Sequence, residues 1–223
     1  MKCFVIAMKS EAEPLVKAMD DNGAIEERII DYNFVTYRGK LFGEDIAVLI
    51  CGVGKVNAAS GTQYAIDKLG ADIIINLGVA GGLNDTVKIG KVYSVSEVVQ
   101  YDFDLTQLNG TEIGTVSGFN YNYMPLSLPE GFRARKVGTG DRFNDSLEDY
   151  KLLTEVLDAD IRDMELGAIA QVCIHAKDVK CYAFKCISDL AGSGSTTEQF
   201  KENLELCAHS IGNMLELIVK SAV

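Results

Sequence analysis

The sequence predicts one α/β domain over residues 1–223, built on a mostly parallel sheet with helices on both faces. Two observations carry this. Short apolar runs alternate along the chain with segments of helical periodicity, and no low-complexity linker or repeat interrupts them. One run, "DIIINLG" at 72–78, is β-branched and bounded by glycine, as expected of a central strand buried on both faces.

The elements follow in order. Residues 3–7 (CFVIA) read as a strand, and 10–22 as a helix with Ala12, Leu15, Val16 and Met19 on one face. Strands at 33–37 and 45–51 flank a turn at 39–43, and 55–69 is helical. After 72–78, "KVYSVSEVVQ" at 91–100 is another strand. Residues 104–132, rich in Asn, Gly, Ser and Tyr and holding Pro125 and Pro129, read as an extended loop, a length that usually marks function. Regular structure returns with strand 135–139, a helix around 146–157, a short strand near 159–163, helix 166–176, strand 181–187 and a helix from 196 to 220. In such sheets ligands bind beyond the carboxyl ends of the strands. Residues 8–11, 51–54, 78–82 and Asp189 fall there.

Composition narrows the function classes. A net charge of −11 argues against a nucleic acid or an anionic membrane as partner. Six cysteines without a C-x-x-C pair, mostly in apolar runs, read as free core thiols of a cytoplasmic protein. With only His175 and His209 and no Cys/His cluster, no metal site is expected, and His175 reads as a helix-end residue. The opening apolar run of six or seven residues is too short for a signal segment, and no stretch reaches the length of a membrane span.

Each candidate motif has a plain structural reading beside the functional one. "CGVGKVNAAS" is not a phosphate loop, because Val56 follows the lysine and Leu49 replaces the first glycine; it also lacks the third glycine of a dinucleotide fingerprint. It is a tight strand-to-helix turn, or one that lets backbone approach a ligand. "NLGVAGGLND" has the same two readings. Glu165 in "RDMELGAIAQVC" and Glu11 in "MKSEAEPL" each stand at a helix start, where a carboxylate complements the helix dipole, with Ser10 as a possible cap for the second. Asp189 in "FKCISDLAG" follows a buried strand and is either a turn aspartate or a carboxyl group held for a ligand.

Together these segments resemble one family. "AMKSEAEPL", "CGVGKVNAA", "INLGVAGGL", "GTGDRFNDS", "DMELGAIAQVC" and "ISDLAG" occur in the order and at about the spacing of the methylthioadenosine/S-adenosylhomocysteine nucleosidases of the purine nucleoside phosphorylase superfamily. The resemblance spans nearly the whole chain and is weakest at 104–132. It implies a three-layer α/β/α sandwich around a mostly parallel mixed sheet, a homodimer, and hydrolysis of the N-glycosidic bond of a 5′-thio-substituted adenosine, without a cofactor. By motif, it implies Asp189 at the adenine N7 and N6, Glu165 at the ribose hydroxyls and Glu11 at the attacking water. It places Phe143 on the base and Met164 under the ribose, with Met8 and Val53 nearby. The turns around Gly78 and Ser188 complete the substrate site. These residue types suit the reaction: adenine leaves once N7 accepts a proton, a carboxylate steadies the cation-like ribosyl group, and a second carboxylate deprotonates water, as in O-glycoside hydrolysis.

Two positions depart from the family's usual residues. Val79 stands where serine is usual and Lys185 where arginine is usual, both expected near Glu11 and the water. Lysine keeps the charge but loses the planar fork. Three rivals remain: a phosphorolytic nucleoside phosphorylase, a hydrolase of another adenine nucleoside such as an aminofutalosine, and a nucleoside-binding protein without turnover. Phosphate needs converging arginines or a backbone nest. The six arginines (28, 38, 133, 135, 142 and 162) all lie outside the glycine turns assigned to the site, leaving Lys185 as its only cation and favouring water.

Overall fold

β1 (Lys2–Ile6) and β5 (Ile73–Gly82) lie side by side and parallel at the centre of one mixed, ten-stranded sheet, in a computed structural model that describes all 223 residues. Both are nearly continuous apolar runs because both faces of the sheet are covered. Beyond β1 come β4 (Glu44–Ile50), β3 (Phe34–Leu41) and β2 (Ile25–Asp31), with β3 antiparallel to both its neighbours. On its other flank β5 pairs with β10 (Lys180–Leu190), which continues to β6 (Val92–Gln100), β8 (Ala134–Thr139) and β9 (Ile161–Asp163). β9 then returns to β5 at Gly81 and Gly82, so these five strands close into a ring. The two residues of β7 (Met124–Pro125) add to β6.

α1 (Lys9–Asp21) and the long α6 (Thr196–Ser221) cover one face, where Leu15, Met19, Ile211 and Leu215 pack on Phe4 and Phe184. α2 (Lys55–Leu69) and α5 (Leu166–Ala176) cover the other, with Ala58, Ala65 and Ile169 against Val5, Leu49 and Ile74. This is the expected three-layer sandwich. All six cysteines are free and buried in these cores, and His175 ends α5, packed edge-on against Phe119.

The differences from the sequence-based expectations have identifiable causes. β2 is absent from them because "IEERIID" is charged; it is a largely exposed strand of an edge hairpin, with no face to bury. β5 does not stop at Leu77 or Gly78 but runs through "GVAGG", so those glycines lie in a strand and not in a turn. β10 extends past Ile187 to Leu190 with a bulge at Ser188, which puts Asp189 inside the strand and not beyond it. The segment 104–132 is irregular apart from one helical turn, α3 (Thr106–Asn109), and β7. The helix at 146–157 is α4 (Leu147–Lys151) running into a wider π turn, Leu152–Val156, closed by the Leu157 N–H donating to the Leu152 carbonyl at 3.0 Å. Ser10 is no cap: the helix starts a residue before it, and Glu11 instead accepts from the N–H of Met8 at 3.0 Å.

Candidate active site

The carboxyl ends of β1, β5 and β10 open into a cavity of about 390 Å³, the scale of a small-molecule site. Glu11, Glu165 and Asp189 all face it, together with Met8, Val53, Val79, Phe143, Met164 and Ser188.

Glu11 comes from the first turn of α1 and is held in two grips. One carboxyl oxygen accepts from the Met8 N–H, and the other accepts from the Val79 N–H of β5 at 2.8 Å. A methyl group on Gly78 would stand 2.5 Å from Glu11 Oε1, so the glycine makes the room this carboxyl occupies. Burial pushes the Glu11 carboxyl up from its ordinary range, against the Val79 N–H and the Lys185 charge, which pull it back.

Glu165 sits at the start of α5 but does not cap it; its Oε1 accepts from the Gly54 N–H across the cavity at 3.0 Å. The tight turn at 52–54 therefore delivers a backbone donor to a carboxylate, the ligand-approach role open to a glycine turn. Gly54 has φ of 98°, which favours glycine. Burial, and then the neighbouring Asp163 charge, raise the Glu165 carboxyl to about 7.

Asp189 owes its position to the bulge. Ile187 pairs with Ala80 and Asp189 with Gly81, leaving Ser188 as the extra residue. Regular alternation sends successive side chains to opposite faces. The bulge re-aims them, so Ser188 and Asp189 both border the cavity. Ser188 Oγ donates to Asp189 Oδ1 at 2.7 Å, while Oδ2 is buried without a hydrogen-bond partner. Burial raises the Asp189 carboxyl above its ordinary value, opposed by the Ser188 hydroxyl and the Arg162 charge.

Lys185 and Gly78 lie behind the cavity wall and not on it. Lys185 is only 1% exposed and forms a 2.7 Å ion pair with Asp163. Burial works against its charge, but Asp163, Glu165 and Glu11 hold the ammonium above its ordinary value. It thus reaches the site through Asp163 and by its field on Glu11, not by direct contact. Asp163 itself also accepts from Thr139 Oγ1 and from the Leu166 N–H.

The arginine expectation is overturned. Arg142 and Arg162 both line the cavity, as does Lys201, so Lys185 is not the site's only cation. Arg142 is tied to Asp149 at 2.7 Å. The sequence places Arg162 outside the site because its strand is only three residues long and enters the site only through pairing with β5. Asp163 was legible in principle, two residues before Glu165 and beside a strand end. Phe200 and Thr197, from the first turns of α6, carry no motif; Phe143 packs edge-on against Phe200 at 5.6 Å and is half exposed at the rim. The rim is further braced where Lys55 pairs with Asp102 at 2.6 Å and Asp141 accepts from the Lys55 N–H.

Fold and cavity together define a class: an α/β protein with a small-molecule site at the carboxyl ends of its strands, equipped with buried carboxyl groups for acid–base work. Comparison with known proteins supplies the family. The model of the phosphorylase superfamily matches residues 2–220, and the chain belongs to that superfamily. It is 30% identical to the 5′-methylthioadenosine/S-adenosylhomocysteine nucleosidase of Buchnera aphidicola, over 100% of this chain and 99% of that one. It is 29% identical to the aminodeoxyfutalosine nucleosidase of Campylobacter jejuni, over 86% and 87%. The solved structure of the 5′-methylthioadenosine/S-adenosylhomocysteine nucleosidase of Colwellia psychrerythraea, in complex with adenine, superposes with a TM-score of 0.87 at 27% identity, covering 100% of this chain and 96% of that one.

Proposed function

We propose that this chain is a nucleosidase that hydrolyses the N-glycosidic bond of 5′-methylthioadenosine, S-adenosylhomocysteine or both, releasing adenine and a thioribose. The observation that carries this reading is the convergence of Glu11, Glu165 and Asp189 on one cavity, with Asp189 pushed toward the protonated form by burial. In the mechanism, protonated Asp189 gives its proton to N7 while its carbonyl oxygen accepts from the N6 amine. The glycosidic electron pair moves to the purine, and ionised Glu165 steadies the positive charge left on the ribosyl group through its hydroxyls. Glu11, fixed by two backbone donors, orients water and takes its proton. Val79 serves this last step through its backbone N–H, so a missing serine hydroxyl leaves the grip on Glu11 intact.

Water rather than phosphate is favoured by what surrounds the nucleophile's place. The Glu11 carboxyl already takes the Val79 N–H, and a second anion beside it is repelled. Arg142 is committed to Asp149, and Arg162 borders the cavity beside Asp189 at Gly81, whereas Glu11 lies at Gly78. A second reading, hydrolysis of an aminofutalosine, is favoured by the Campylobacter relative. The chain works as a cytoplasmic homodimer within methionine salvage. Six buried free thiols suit a reducing compartment. Exposed Val53, Val56, Leu108 and Tyr121, on the turn before α2, its first residues and the 102–126 segment, suit a surface covered by a second copy that completes the 5′ end of the site. The test is to incubate the protein with methylthioadenosine, S-adenosylhomocysteine, aminodeoxyfutalosine, adenosine and inosine and identify base and sugar. A free thioribose from the first two supports the reading, and turnover of none of them refutes it.

A further inference from the structure

Gly81 lies between two charged neighbours. β9 pairs Arg162 with it on one side, and β10 pairs Asp189 with it on the other. Side chains paired across a sheet share a face, and here the middle one is missing. A methyl group on Gly81 would stand 2.8 Å from Asp189 Oδ2 and 3.2 Å from Arg162 Nε, so both groups border one gap in the cavity wall. Asp189 is 2% exposed and Arg162 8%. Asp189 Oδ2 has no hydrogen-bond partner. The ion pairs of the cavity are Lys185 with Asp163 and Arg142 with Asp149, and Arg162 forms neither an ion pair nor a side-chain hydrogen bond.

The Arg162 side chain lines the cavity with no protein partner, so its donors are open to a ligand. In a chain with 32 acidic residues against 21 basic ones, a partner would be easy to supply. In a site that reads only adenine the charge meets no acceptor at position 6, where adenine carries a donor.

The edge of the base can supply one. Adenine presents N7 as an acceptor and its 6-amino group as a donor, and a single carboxylic acid matches both. A 6-oxopurine presents two acceptors, N7 and O6, and a guanidinium offers donors only. The Asp189 hydroxyl and Arg162 side by side supply the two donors required. We propose that Arg162 reads an oxygen at purine position 6, and that the cavity therefore also accepts 6-oxopurine nucleosides. This rests on the nucleosidase reading and keeps its chemistry. The water oxygen bonds to C1′, and the C1′–N9 pair leaves with hypoxanthine. One proton passes from Asp189 to N7 and one from water to Glu11.

The test compares kcat/KM for 5′-methylthioinosine and 5′-methylthioadenosine in the wild type and in Arg162→Leu, with calorimetric binding of hypoxanthine and adenine to the same preparations. The wild type should cleave both nucleosides. Arg162→Leu should lower the inosine-to-adenosine ratio by about tenfold to a hundredfold, and hypoxanthine affinity relative to adenine by a similar factor. Arg162→Met, with the same expected fall, replaces it if the first variant does not fold. A wild type that cleaves methylthioadenosine and binds adenine, but neither cleaves methylthioinosine nor binds hypoxanthine, overturns the proposal, as does an unchanged ratio in the variant. Binding of both bases, with hypoxanthine selectively lost in Arg162→Leu and neither nucleoside cleaved, would overturn the nucleosidase reading but support the base assignment.

Discussion

Glu165→Gln should make the protein more stable at alkaline pH while disabling it. Gln keeps an oxygen for the Gly54 N–H at 3.0 Å, so the grip on the 52–54 turn survives. The titration does not. In the folded protein burial and then Asp163 raise the Glu165 carboxyl from 4.5 to about 7. A raised carboxylate binds its proton more tightly when folded. Its contribution is therefore fully present below pH 4.5 and is lost as pH rises through about 7. A rise of that size corresponds to about 3 kcal/mol, with the group buried and little screened by solvent. Wild type and Glu165→Gln should then have similar unfolding free energies at pH 5, and the variant should gain up to about 3 kcal/mol over the wild type by pH 8. Glu11 and Asp189 are raised as well and remain in both proteins, so the difference between the two curves reports Glu165 together with its coupling to Lys185 and Glu11. Urea unfolding at pH 5, 6, 7 and 8 measures it. Turnover should fall at every pH, because Gln cannot neutralise a ribosyl cation. Parallel curves for the two proteins, or near-normal turnover in the variant, would refute the reasoning and leave Glu165 as a helix-start residue.

Further outcomes follow from the same geometry. Phosphate added to the assay should leave the rate unchanged; release of a ribose 1-phosphate would replace water with phosphate. Lys185→Met strands Asp163 as an unpaired buried charge and should cost about 3–5 kcal/mol of stability in chemical denaturation, whereas a loss below 1 kcal/mol would mean that the pair is not needed for folding. Sedimentation should show a dimer at assay concentration, and a fully active monomer would remove the second copy from the site.

Much of this was legible in the sequence, for physical reasons that also explain what was not. α2 and α5 are read at their observed boundaries because their periodicity is clear and glycine or a strand end delimits them. The central strands betray themselves by apolar runs. Glycine in "GVAGG" misleads, because it reads as a turn, whereas here a strand gives up side chains to admit Glu11 at Gly78 and Asp189 at Gly81. The bulge at Ser188 leaves no mark in a one-dimensional pattern, yet it is what lets two successive residues share the cavity. Glu11 and Glu165 are findable because each stands at a helix start, and Asp189 because a carboxylate closes an apolar run. Arg162, Phe200 and Thr197 are not, since only strand pairing and the packing of α6 bring them to the site. Lys185 shows the reverse: a residue placed at the site by motif lies behind its wall, paired with Asp163.

The proton donor is the claim on which the rest depends. Asp189→Asn preserves shape and an acceptor for Ser188 Oγ, and it replaces the unpartnered Oδ2 with an amide that cannot deliver a proton. Because that oxygen holds nothing in the protein, the melting temperature should stay level or rise. General acid catalysis contributes about 10²–10⁴ in rate, and methylthioadenosine turnover should fall by that range. Turnover number and melting temperature on one Asp189→Asn preparation decide the matter. A folded protein slowed at least a hundredfold is the predicted result, and a folded protein with turnover within a few-fold of the wild type would contradict it.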